Sequence, residues 1–109
     1  MSASALDPSL ADAIRTFAVT FAASKSVRHP YLATDLGGCR WRLADAERRR
    51  TADYRSEEWV CLARDVNGVV DQAEATARGR WAVSVLLPAG DDDAPLRATM
   101  RARGHRLKP

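Results

Sequence analysis

Apolar residues open the chain at Leu10, Ile14, Phe17, Ala18 and Phe21, at spacings of 4, 3, 1 and 3 that fall on one helical face. Asp7 stands where it caps the first free N–H groups, and Pro8 at the first helical position sacrifices no hydrogen bond. The pattern predicts a helix over 8–24, with Lys25 complementing the negative pole at its end. Pro30 then disfavours helical geometry at His29, and the apolar period shortens to that of a strand. Cys39, Trp41 and Leu43 alternate with Arg40 and Arg42 as in a half-buried strand, and Gly37-Gly38 separates them from Tyr31-Leu32-Ala33-Thr34. A hairpin is expected here.

Residues 44–56 are predominantly polar and predict a loop or short helix. Glu57 to Ala63 reads as a strand with Trp59 and Cys61 on one face and Val60 and Leu62 on the other. Val66-Asn67-Gly68-Val69 carries two conflicting signals. Asn-Gly between valines marks a hairpin, yet Val66, Val69, Val70, Ala73 and Ala77 recur at helical spacing. The helix-forming run 71–77 decides for a helix over 69–78. Trp81 to Leu87, rich in β-branched residues and ended by Pro88, predicts a buried strand. Gly90 to Asp93 is an acidic turn in which one aspartate caps a helix over 94–103, and Gly104 stops that helix. His105-Arg106-Leu107 reads as the start of a final strand. Strands interleaved with helices predict an α/β (α+β) fold: a single mixed sheet of about four to five strands with three helices. The expected organisation is one small domain over 1–109.

At 109 residues the chain is too short for a multidomain enzyme or for a TIM barrel, which needs roughly 200. A hydrophobic share of 46% with 28% charged residues is a globular composition. The formal charge of +3 is only mildly basic. Fifteen of the seventeen basic residues are Arg and twenty residues are Ala, which reflects an Arg/Ala-rich proteome more than a function. Cys39 and Cys61 lie 22 positions apart with no CxxC and no His at metal-ligand spacing, so two buried free thiols are expected. The N-terminus lacks a basic leader followed by an apolar core, and no apolar run is long enough to span a membrane. A reduced, cytoplasmic protein is the expectation.

No catalytic signature is complete. His29 and His105 are the two histidines, read as a turn residue and a solvated strand residue. Trp41, Trp59 and Trp81 each fall on a predicted strand. Aromatics on a sheet can stack nucleic-acid bases, but without the matching glycine–aromatic spacing they read as core. Arg48-Arg49-Arg50 is offset by Asp45, Glu47 and Asp53, and Asp91-Asp92-Asp93 reads as a cap before a helix. The C-terminal region is less balanced. Arg97, Arg101, Arg103, Arg106 and Lys108 follow Asp93 with no further acid, and Arg97 and Arg101 at i, i+4 share a helix face. These two are candidate contacts for an anion or an acidic partner, and they make weak nucleic-acid binding the least favoured of three readings.

Three segments resemble the N-terminal region of bacterial GNAT-type N-acetyltransferases. They are His29-Pro30-Tyr31, Trp41-Arg42-Leu43-Ala44-Asp45-Ala46, and Asp53-Tyr54-Arg55 with Glu57-Glu58-Trp59-Val60. Arg78-Gly79-Arg80-Trp81, Ala94-Pro95-Leu96-Arg97-Ala98 and Arg103-Gly104-His105-Arg106-Leu107 are similar to the strand–helix–strand ending of that region, so the likeness runs from about 29 to 107. It implies a GNAT-like partial fold. Members of the family hold the pyrophosphate of acetyl-CoA on a Q/R-x-x-G-x-G/A turn at a helix N-terminus, where backbone N–H groups and the helix dipole favour phosphate. This chain has no such string, and in the family that turn lies downstream of the matched region. The resemblance therefore implies an accessory or interaction domain that works without a cofactor, completed by its own copy as a homodimer or by a catalytic acetyltransferase chain. The alternative it implies is an N-acetyltransferase with a degenerate site, in which Arg78 and Arg80 hold the phosphates of acetyl-CoA.

Overall fold

A computed structural model of the chain describes residues 8–26, 30–45, 57–77 and 79–106. Its elements are α1 (Pro8–Lys25), β1 (Tyr31–Gly37), β2 (Arg40–Asp45), β3 (Glu57–Leu62), a short 3-10 turn (Ala63–Asp65), α2 (Val66–Thr76), β4 (Trp81–Leu86) and α3 (Ala94–Ala102). The strands form one mixed sheet in the order β1-β2-β3-β4. The first two pairings are antiparallel, and β3–β4 is parallel. Three helices on a single mixed sheet is the α+β class that the chain pattern predicts.

Side-chain alternation divides the core into two layers. Tyr31, Trp41, Leu43, Val60 and Leu62 face Ile14, Ala18 and Ala22 of α1. On the opposite face Trp59 and Cys61 pack against Val66, Val69, Val70 and Ala73 of α2. Every residue of β3 is buried, because it is the strand that both helices cover. The two faces predicted for Trp59/Cys61 and Val60/Leu62 are those observed.

The start of β3 adds an electrostatic requirement. Glu57 and Glu58 are consecutive and buried, so strand geometry sends their carboxylates to opposite faces. Arg42 of β2 grips Glu57 with two hydrogen bonds, Nε to Oε1 at 3.0 Å and Nη2 to Oε2 at 3.1 Å. Its guanidinium also lies 5.5 Å from the centre of the Trp59 ring. Lys25, at the end of α1, reaches Glu58 at 3.4 Å. One pair fixes β2 against β3 and the other fixes α1 on the sheet. Beside them the indole Nε1 of Trp59 is buried with no acceptor among the described residues, a cost of roughly 1–3 kcal/mol.

Local chemistry explains where the elements stop. The Ser26 hydroxyl donates to the Ala22 carbonyl at 2.8 Å and accepts the Tyr31 N–H at 2.9 Å, tying the end of α1 to the start of β1. The hairpin turns at Gly38-Cys39, one residue later than the expected Gly37-Gly38. Both turn residues have positive φ, 61° and 63°, as a two-residue hairpin of this hand requires. Cys39 thus precedes β2 instead of beginning it, yet its side chain still joins the α1-side core.

Four further expectations are refined. Helix α2 begins at Val66, so Asn67 lies within its first turn and caps nothing; Asp65 holds the N-cap position, without a side-chain hydrogen bond. The Asn-Gly hairpin loses to burial of the four α2 core residues. β4 is half-buried along its whole length instead of buried, because it is an edge strand. His105 and Arg106 are not part of a strand, and Leu107 lies outside the described residues. Residues Ala44 and Asp45 of the expected polar connection belong to β2. The rest of that segment, with Asp7, His29 and Arg48–Arg50, lies outside the description.

Two substitutions separate the packing term from the charge term. Leu43, fully buried, should lose about 2–5 kcal/mol as Leu43→Ala. Arg42→Ala should lose about 2 kcal/mol, between surface and buried ion-pair values, because it removes the two hydrogen bonds that Arg42 makes to the buried Glu57 carboxylate. Urea unfolding checks both; a neutral Arg42→Ala would remove the clamp from the account.

Candidate functional site

The β4 edge is where the backbone leaves groups unspent. The Glu57 N–H donates to the Arg80 carbonyl at 3.0 Å. In a strand the N–H and C=O of one residue point the same way and alternate along the chain. Given the β3–β4 register, the groups of Ala82, Ser84 and Leu86 face β3, and those of Trp81, Val83 and Val85 face outward. Among the described residues no strand pairs with that outer edge.

The two edges of the sheet differ. β1 carries a bulge between Asp35 and Gly37, and the Asp35 carboxylate accepts the Gly37 N–H at 2.8 Å. A bulge and a charge are devices that discourage strand pairing. β4 reads Trp-Ala-Val-Ser-Val-Leu, with neither charge, proline nor bulge.

Charge is distributed unevenly along this edge. Arg80, exposed, immediately precedes β4, and the His105 ring stands edge-to-face on Trp81 with centroids 5.2 Å apart. That contact brings the chain after α3 back to the beginning of β4, so exposed Arg106, the neighbour of His105, lies near that end. The other end is acidic. A turn closed by the Asp91 N–H on the Pro88 carbonyl at 3.1 Å leads into exposed Asp91 and Asp92. The Asp92 carboxylate accepts the Ala94 N–H at 3.0 Å, while Asp93, at the N-cap position, makes no side-chain cap hydrogen bond.

Helix α3 flanks the edge and is lightly held. None of its residues is buried, and its apolar contribution to the core is Leu96 and Met100, both half-buried. Its C-terminal end is fastened by Arg103, which donates to the Asn67 side chain at 3.1 Å, Asp71 at 2.6 Å and Glu74 at 3.4 Å on one face of α2. The hydrogen bond to Asp71 holds the Arg103 guanidinium above its ordinary pKa. Sequence reading counted Arg103 only as part of a basic tail. The i, i+4, i+7 row Asn67-Asp71-Glu74 was the visible signal for its partner.

The predicted contact residues are thus only partly assembled. Arg80 immediately precedes β4, and Arg101 stands in the last turn of α3. Arg97 is tied to Asp93 at 2.7 Å, half a helix away, and its charge is largely matched there. Arg78 lies outside the described residues. Neither strand-to-helix junction suits a diphosphate. At β3–α2 the N-cap is Asp65, with Arg64 turned to it at 3.9 Å, no residue has positive φ, and Asn67 is engaged by Arg103. At β4–α3 three aspartates precede the helix.

A cleft of about 220 Å³ between α1 and the hairpin is floored by Cys39 and Trp41. Burial pushes the Cys39 thiol up. Burial also pushes Cys61 from 9.0 to about 12, with Asp65 adding to the shift and Arg40 opposing it. Both thiols are free and buried, so neither is a thiolate at neutral pH. Among the described residues no three His, Cys, Asp or Glu side chains gather as a metal site, and no described helix is long and apolar enough to cross a membrane. No protein-family model, curated protein or solved structure matches this chain.

The Cys61 shift has a measurable sign. The folded thiol holds its proton to about 12 while the unfolded one releases it near 9.0, so this contribution to stability is whole below 9.0 and shrinks as pH rises toward 12. The slope is about 1.4 kcal/mol per pH unit per thiol. Urea unfolding above pH 9.0 should show this decline, and Cys61→Ala should flatten it; an unchanged slope in that variant would refute the assignment.

Proposed function

We propose that this chain is a GNAT-like interaction domain of the cytoplasm, which engages another polypeptide by strand addition and does not transfer acetyl groups on its own. The observation that carries the reading is the bare, apolar outer edge of β4, with the N–H and C=O groups of Trp81, Val83 and Val85 directed away from the sheet. Strand addition supplies those groups with partners and gives an interaction whose affinity comes from main-chain hydrogen bonds. The asymmetry with β1 supports it: the edge that carries a bulge and a carboxylate is protected, and the edge without them is available. The polypeptide taken up at β4 would be a catalytic acetyltransferase chain or a second copy.

The competing readings draw on weaker features. The acetyl-CoA alternative rests on Arg78 and Arg80, of which Arg80 precedes strand β4 instead of opening a helix whose N-terminus would favour a diphosphate. A nucleic-acid surface on α3 would require Arg97 and Arg101 together, and Asp93 matches the first of them.

Residue-resolved hydrogen exchange tests the reading. The probe is a synthetic peptide carrying the β4 sequence between two lysines, added to chain dilute enough to be monomeric. The outward amides of Val83 and Val85 should slow on adding it, while those of Ala82 and Ser84 are already slow. No change at Val83 and Val85 would refute strand addition. Calorimetry with acetyl-CoA should give no heat, and stoichiometric binding would overturn the non-catalytic part.

A further inference from the structure

The β4 edge is complementary to itself. Its outward main chain belongs to Trp81, Val83 and Val85, a set centred on Val83. In an antiparallel pair two directly opposed residues can exchange both N–H···O bonds, provided the groups of each face the other strand. With Val83 opposite Val83, Trp81 falls opposite Val85 on either side, and all three outward residues find partners. A shift of two residues in either direction leaves one of them beyond the end of the other strand. The side chains agree with this register. Trp81, Val83 and Val85 pack toward α2, so an aromatic ring would meet a β-branched residue across the join. On the opposite face Ala82 would meet Ser84, and β4 carries no charge to bury.

Charge at the two ends selects the direction. Exposed Arg106 lies near the start of β4, next to the His105 that stacks on Trp81, and exposed Asp91 and Asp92 follow its end. Antiparallel pairing sets the start of one strand beside the end of the other, so opposite charges approach at both ends of the join. Parallel pairing would set like against like. Closure of the sheet favours the same occupant. A twofold pair covers the unguarded edge of both copies, and both outer edges are then β1, with its bulge and Asp35.

Resting on the strand-addition reading, we infer that β4 of a second copy occupies this edge, antiparallel and with Val83 on the twofold axis, so that two four-stranded sheets become one. The contact is one six-residue strand from each copy. That is short of a permanent interface, so the dimer dissociates on dilution.

The experiment uses the whole chain at low ionic strength. The mass by light scattering should rise with concentration from 12.0 kDa to twice that value, and the Val83 and Val85 amides should slow over the same range. In a mixture of isotope-labelled and unlabelled chain, nuclear Overhauser contacts between copies should connect Trp81 with Val85. Val83→Pro removes an outward N–H and leaves the bonds to β3 in place, so it should abolish the dimer. Reversals at exposed sites check the polarity without touching the strand. Arg106→Glu alone and Asp91→Arg alone should each weaken the dimer about tenfold by bringing like charges together. Mixing these two variants restores opposite charges at both ends, and a heterodimer as tight as the unaltered pair should form.

A dimer without the Trp81–Val85 contact between copies, or a mixture no tighter than either variant alone, would overturn the antiparallel arrangement. A chain that stays at 12.0 kDa to millimolar concentration, while the lysine-flanked β4 peptide still protects Val83, would overturn the second copy and leave strand addition intact. A monomer that the peptide does not protect would remove the strand-addition reading itself.

Discussion

Two adjacent buried carboxylates at the head of β3 set the terms for the rest of the molecule. Glu57 and Glu58 cannot share a face, and neither can remain buried without a cation. Arg42 serves one face and Lys25 the other. The consequence is geometric as much as energetic. β2 must lie beside β3 in the register that opposes Arg42 to Trp59, and α1 must end where Lys25 can reach the opposite face. A strand carrying its charges at one end and Trp59, Val60, Cys61 and Leu62 beyond them is thereby anchored, and both helical layers are assembled on it.

From that anchor the sheet grows unequally. On the β1 side it ends in a hairpin whose bulge and aspartate discourage further pairing. On the β4 side the parallel crossover through α2 leaves an apolar edge, and α3 packs on the same face as α2 through Leu96 and Met100. The proposed interaction follows from this arrangement of backbone and charge, not from a catalytic group: the thiols are held protonated, and Asp65 and Asp91–Asp93 occupy the two junctions where an anion would sit.

The candidate site was only faintly legible in the chain. Arg80 and Arg101 could be singled out as basic, but nothing along the sequence says that α3 returns to the beginning of β4. Arg97 looked equivalent to Arg101 because both lie on one helix face. The Asp93–Arg97 pair separates them, and that pair is itself an i, i+4 contact readable from the chain. Arg103, hidden in a run of arginines, proved the residue that fastens α3 to α2.

What the sequence by itself determined is local: the α1 face marked by Ile14 and Ala18, the opposed faces of Trp59/Cys61 and Val60/Leu62, the glycine-led hairpin, and the stop at Gly104. Each depends on periodicity or on backbone freedom within a few residues. The tertiary structure alone decided that Trp81–Leu86 is an edge strand, that Asn67-Gly68 lies in a helix, and that Glu57 and Glu58 are buried. Those outcomes depend on which segments distant in the chain become neighbours. An apolar run reads the same with one strand beside it or two, and a glutamate reads as a surface residue until an arginine from another strand is placed against it.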